Sequence, residues 1–295
     1  RQYYYLCIIK YANMERLIEK HTKLISALNP IFTNSLYWKI PWMDRLVGIT
    51  GARGVGKTTL MLHYIKENYK NSRDALYVSL DDVAFHYPSL IDLANEFARN
   101  GGKHLFLDEI HKYPQWSQEL KNIYDSIPEI RVLFTGSSIL DIYRGKADLS
   151  RRALVFDMHG LSFREYLQIE TGQVFSAYSL EDILTNHYDI AVSIYQKIKP
   201  FKYFSDYLQF GYYPYYIESR EFYHMKLLNS INQILEIDLP YIQNIELQYI
   251  PKLKGFLKIL ANDIPVKPNV AAVSYTHLRA HETVLDLVCR LLLEK

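Results

Sequence analysis

The stretch "DRLVGIT", "GARGVGKTT", "LMLHYIKENY" constrains this chain more than any other. An apolar run ends at Thr50, a glycine-rich turn covers Gly51 to Thr59, and a helical pattern follows. The turn fits G-x-x-x-x-G-K-S/T, with Gly51, Gly56, Lys57 and Thr58 at the fixed positions. Strand, glycine loop and helix in that order are the context in which this spacing builds a phosphate cradle. Glycines adopt backbone angles closed to other residues and let N–H groups approach an anion. The helix N-terminus adds free N–H groups and the positive end of its dipole. Ala52, Arg53, Gly54, Val55 and Thr59 complete the candidate nucleotide-binding loop. In such a loop the lysine, here Lys57, reaches the β and γ phosphates, and the hydroxyl of Thr58 ligates Mg²⁺.

Binding alone does not hydrolyse a nucleotide; the metal must be held and a water oriented. "KHLFLDEI", from Lys103 to Ile110, reads as a buried strand that ends in Asp108 and Glu109. Asp108 is the candidate metal carboxylate and Glu109 the candidate that polarises the attacking water. Another strand pattern, "ALYVSLDD", lies between the two motifs in the chain. It suggests a sheet with a strand inserted between the phosphate-loop strand and the acidic strand. "IRVLFTGSS" is a further strand ending in small polar residues, and Ser137 and Ser138, with Thr135 as a third, are candidates to sense the γ-phosphate. Arg144, Arg151 and Arg152 cluster before the strand pattern "ALVFDM". An arginine that completes the transition-state charge comes either from the same chain or from a neighbour, and Arg151 and Arg152 are the candidates. His111 follows the two acids without a cysteine or histidine at metal-ligand spacing, so it reads as a surface histidine. Trp38 and Trp42, before the loop, are expected to wrap the edge of the core near the adenine.

Composition sets the bounds. The chain has 295 residues, 49% of them hydrophobic, and a net charge of +2. That is ample for a large core and asks for neither nucleic acid nor an anionic membrane. No apolar run reaches the roughly 18 to 20 residues of a membrane span, and a cytoplasmic protein fits best. Both ends read as foreign. Val273–Lys295 is similar to a translated sequencing adapter, since two adapter segments decode in frame to Val273–Thr283 and Leu287–Glu294. Arg1–Asn13 precede the first methionine and read as upstream read-through or as an internal fragment of a longer chain. The remaining 14–272 then carry no net charge and neither Cys7 nor Cys289, which argues against thiol or redox chemistry.

"GARGVGKTTLM", "LFLDEIHKYPQWSQELKNIYD", "VLFTGSSIL", "KADLSRRA", "GLSFREYL" and "FGYYPYY" together resemble a family of prokaryotic AAA+-type ATPases. In that family a P-loop domain precedes a C-terminal domain known as DUF4143. The resemblance covers Met14 to Ala272. It implies an α/β fold of three layers with a parallel sheet at 14–160, a helical lid or linker at 161–250, and a truncated winged-helix-like segment at 251–272. It implies ATP and Mg²⁺ as ligands and ATP hydrolysis coupled to a conformational change. A slow nucleotide-dependent switch, or a DNA-binding protein with an ancillary ATPase, are the rival readings. A protein partner or self-association is left open, nucleic acid only through what would follow residue 272, and a membrane is not expected. In the lid, "LSFREYLQIE" opens on Ser162 as a helix cap before Glu165. The aromatics of "FSDYLQFGYYPYY" read as helix packing rather than base stacking. Lys252, Lys254 and Lys258 read as a solvated helix face.

Overall fold

The computed structural model describes residues 2–69, 73–82, 85, 87–136, 149–240 and 246–262. The expectations for Ser137, Ser138, Arg144, 263–272 and 273–295 lie outside them. The chain divides into two compact units, Arg1–Leu227 and Leu228–Lys295.

The first unit is built on a parallel sheet of five strands in the order β2-β3-β4-β1-β5. These are β1 (Leu46–Thr50), β2 (Ala75–Ser79), β3 (His104–Asp108), β4 (Arg131–Gly136) and β5 (Leu154–Asp157). Each strand is nearly continuous in apolar residues because parallel strands are covered on both faces. The period of two sorts the side chains between those faces. Leu46, Leu76, Val78, Leu105, Leu107, Val132 and Phe134 enter one core layer. Val47, Ile49, Ala75, Tyr77, Phe106 and Leu133 enter the other. Helices α3 (Leu90–Arg99) and α4 (Trp116–Ser126) close the first layer. Helix α2 (Lys57–Asn68) and the segment bearing Ile40 and Trp42 close the second. The three-layer α/β reading of the sequence holds.

The inserted strand differs from what chain order suggests. It is β4 that sits between β1 and β3, while β2 lies outside β3. Chain order says nothing about sheet order where every connection is a crossover, so only the packed sheet decides it. The edge at β2 is covered by α1 (Gln2–Ala27), whose His21 Nδ1 accepts the Tyr77 N–H at 3.0 Å. An uncovered edge would present unpaired backbone groups to other chains. Helix α1 is continuous across Asn13 and Met14.

After β5 the first unit is helical: α5 (Phe163–Thr171), α6 (Leu180–Lys197), α7 (Phe201–Phe210) and the start of α8 (Tyr223–Gln233). Ser162 and Glu165 form a capping box at the head of α5. Glu165 also accepts the backbone N–H of Ser35 at 2.7 Å, which ties the segment before β1 to this helix. Burial opposes its charge, but the N–H donors of Ser35 and Ser162 and the Ser162 hydroxyl outweigh it and hold the carboxyl below its ordinary value. The aromatic cluster is packing: Tyr166 and Tyr216 are buried together, with ring centroids 5.3 Å apart. In the second unit a 3-10 turn at Leu247–Tyr249 leads into α9 (Ile250–Asn262). There Lys254 pairs with Glu236 at 2.5 Å and Lys252 lies 5.4 Å from the Tyr249 ring. Among the described residues no helix is long and apolar enough to cross a membrane.

Candidate nucleotide site

A parallel sheet brings the carboxyl ends of its strands to one edge, where ligands of open α/β folds bind. Here the register aligns them: Thr50 pairs with Gly136 and with Asp157, and Ser79 with Asp108. The loop Gly51–Gly56 leaves β1 at that edge. Gly51, Gly54 and Gly56 have φ of 143°, 86° and 101°, angles that favour glycine. Gly51 has a second constraint, since a Cβ there would lie 2.1 Å from the Met158 carbonyl oxygen. Gly56 then caps α2, whose first residues are Lys57 and Thr58.

Lys57 is buried, and its Nζ donates to the carbonyls of Gly51 and Ala52, both at 2.9 Å. Burial pushes its ammonium below the ordinary lysine value, and the charges of Glu109 and Asp108 pull it partly back. Thr58 Oγ1 donates to Asp108 Oδ2 at 2.8 Å, and the Tyr77 hydroxyl donates to the same oxygen at 2.9 Å. Tyr77 is held as the neutral phenol, first by burial and then by the Asp108 charge. The Thr135 hydroxyl donates to Asp108 Oδ1 and accepts the backbone N–H of Glu109 at 3.2 Å. The structure thus brings Lys57, Thr58, Asp108, Glu109 and Thr135 together. A hydroxyl and one carboxylate are hard oxygen donors, few in number, which suits Mg²⁺ that also takes phosphate oxygens and waters.

A cleft of about 420 Å³ opens beside the loop, lined by Gly54, Lys57, Thr58, Thr59 and Glu109 and walled by Phe32, Pro214 and Tyr215. A narrower hollow of about 60 Å³ shares Phe32, Gly56, Thr59 and Pro214 with it and adds Val55, His63 and Met158. Trp42 and Trp38 line neither. Trp42 is buried against Tyr64 with parallel rings 4.1 Å apart, and Trp38 is 77% exposed. Phe32 and His63 line the narrower hollow instead.

One further assignment changes, and one narrows. His111 is not a surface residue: its side chain is 5% exposed, with Nε2 3.4 Å from Glu109 Oε2. Ile110 is wholly buried and pulls the turn inward, a tertiary effect that spacing rules do not register. Arg152 makes a two-pronged pair with Asp125 at 2.9 and 3.0 Å. Asp125 lies in the last turn of α4, and Arg152 precedes Leu154, which pairs with Val47 near the start of β1. Arg151 and Arg152 therefore stand at the amino edge of the sheet, away from this chain's own phosphate loop. Sequence reasoning missed Tyr77, Tyr215 and Asp157. Tyr77 is 31 residues from Asp108, Tyr215 lies 3.1 Å from the place of a Gly54 Cβ, and Asp157 accepts the Thr50 hydroxyl at 2.9 Å. Tyr215 falls in the aromatic run that reads as packing, and only the strand patterns hinted at Tyr77 and Asp157.

Comparison with protein families agrees with this class of site. Residues 43–167 match a family model described as an AAA domain, which supports a P-loop ATPase family. Uncharacterized protein MJ1637 of Methanocaldococcus jannaschii is 29% identical over 257 residues, covering 82% of this chain and 54% of its own. Uncharacterized protein MJ1544 of the same organism is 25% identical over 177 residues, covering 58% and 36%. The chain thus spans about half the length of the first relative and about a third of the second. Among solved structures, AMPPCP-bound DnaA from Aquifex aeolicus is similar at a TM-score of 0.31 and 15% identity, over 51% of this chain and 53% of that one. The S. cerevisiae Hsp104–ADP complex is similar at 0.40 and 16%, over 52% and 26%.

Proposed function

We propose that this chain binds ATP with Mg²⁺ and hydrolyses it, using the released energy to shift its helical segment. The observation that carries the reading is the Thr58–Asp108 contact beside Lys57 at the mouth of the glycine loop. The loop amides and Lys57 grip the triphosphate. Thr58 and Asp108 would hold the metal, which would supply charge neutralisation at the phosphate oxygens. Glu109 polarises a water toward the γ-phosphorus; the bond to the β–γ bridging oxygen breaks, and ADP and phosphate leave. Thr135, joined to both acids, senses the terminal phosphate more directly than any other described residue of β4. The base lies in the hollow between Phe32, His63 and Pro214. Tyr215 packs on the loop at Gly54, so a loop that closes on phosphates displaces the turn between α7 and α8. Arg151 or Arg152 completes the charge only from a neighbouring copy.

The test is phosphate release by the unaltered chain in Mg²⁺ and in excess chelator. Steady release that stops with the chelator and returns with Mg²⁺ is expected. Release that ignores the chelator contradicts the roles of Thr58 and Asp108. A slow switch uses the same residues and differs only in turnover.

A further inference from the structure

Glu109 follows β3 in the left-handed region, at φ 54° and ψ 46°. That conformation is uncommon for a residue with a Cβ, and such residues gather at functional sites. The 3-10 turn Ile110–Lys112 follows at once. Lys112 N–H closes it on the Glu109 carbonyl at 2.9 Å, and Tyr113 N–H on that of Ile110 at 3.1 Å. The turn folds His111 back until its Nε2 faces Glu109 Oε2 at 3.4 Å. Glu109 lines the phosphate cleft with its side chain 22% exposed. It is also near enough to Lys57 to act on that ammonium.

We propose that His111 is the positioning residue for Glu109, holding its carboxylate toward the cleft. This rests on the hydrolytic reading above and deepens it. Burial, with Lys112 and Lys57 next in weight, pushes the imidazole down to about 4. The ring is therefore neutral and steers the carboxylate without adding a second cation beside Lys57.

His111→Ala should lower kcat on the order of 100-fold, the scale on which small misplacements of a reacting group act. KM and ATP affinity should stay unchanged, and His111→Gln should restore part of the loss. In a Glu109→Gln background His111→Ala should cost nothing further, because the two act as one. Equal losses in both backgrounds, or a fall in ATP affinity, would assign His111 to packing and overturn the proposal. A second readout needs no turnover. The imidazole Nε2 resonance of the ¹⁵N-labelled chain should shift in Glu109→Ala; an unmoved resonance overturns the contact. A Glu109→Gln variant with normal turnover would defeat the hydrolytic reading instead, and the resonance would still decide whether His111 holds Glu109.

Discussion

Lys57→Ala removes nucleotide binding while the chain stays folded. Hydrogen bonds to charged groups are worth roughly 1.5 to 3 kcal/mol each. Two of them, to the β and γ phosphates, correspond to a loss on the order of 100-fold or more, at about 1.4 kcal/mol per factor of ten. The loss is large because Lys57 is already buried and poised. Its Nζ rests on two loop carbonyls, so little reorganisation precedes the exchange of those acceptors for phosphate oxygens. Calorimetric titration of ATP into the variant measures the loss, and an unchanged melting temperature separates it from unfolding. Unchanged affinity would mean that the nucleotide lies elsewhere.

Glu109→Gln has the opposite signature: binding persists and turnover collapses. The amide keeps the shape and fits the same left-handed backbone, but it cannot accept a proton from the attacking water. General-base contributions run about 10²- to 10⁴-fold, so single-turnover phosphate release should fall by that range with ATP affinity kept within a few-fold. Asp108 is expected to behave differently, since it is buried and holds Thr58, Tyr77 and Thr135 together. If the unaltered chain releases phosphate no faster than its Glu109→Gln variant, the chain is a nucleotide switch.

Much of this site was legible because its parts are local. Gly51 to Thr58 is a contiguous loop whose residue types are dictated by backbone angles and by the anion. β3 announces itself as an apolar run that stops at Asp108. What was not legible depends on crossovers and burial. The place of β4 between β1 and β3 sets Thr135 against both acids, and no periodicity encodes sheet order. His111 looks solvent-facing among charged neighbours, yet a single turn anchored by Ile110 buries it. Arg151 and Arg152 were plausible as charge donors from their spacing after β4. The parallel direction of β5 sends them to the far edge, where Arg152 meets Asp125. The tyrosines near Pro214 were read as packing, and they are; one of them packs on the phosphate loop itself.

The central claim is that the amides of Gly51–Thr59 hold the triphosphate. Hydrogen–deuterium exchange of the chain with and without Mg²⁺ and ATP tests it directly. The account predicts slowed exchange at 53–59, with a smaller effect at 109–111 and at the turn around Tyr215. Binding that leaves 53–59 unchanged and slows exchange instead along α1 would contradict it.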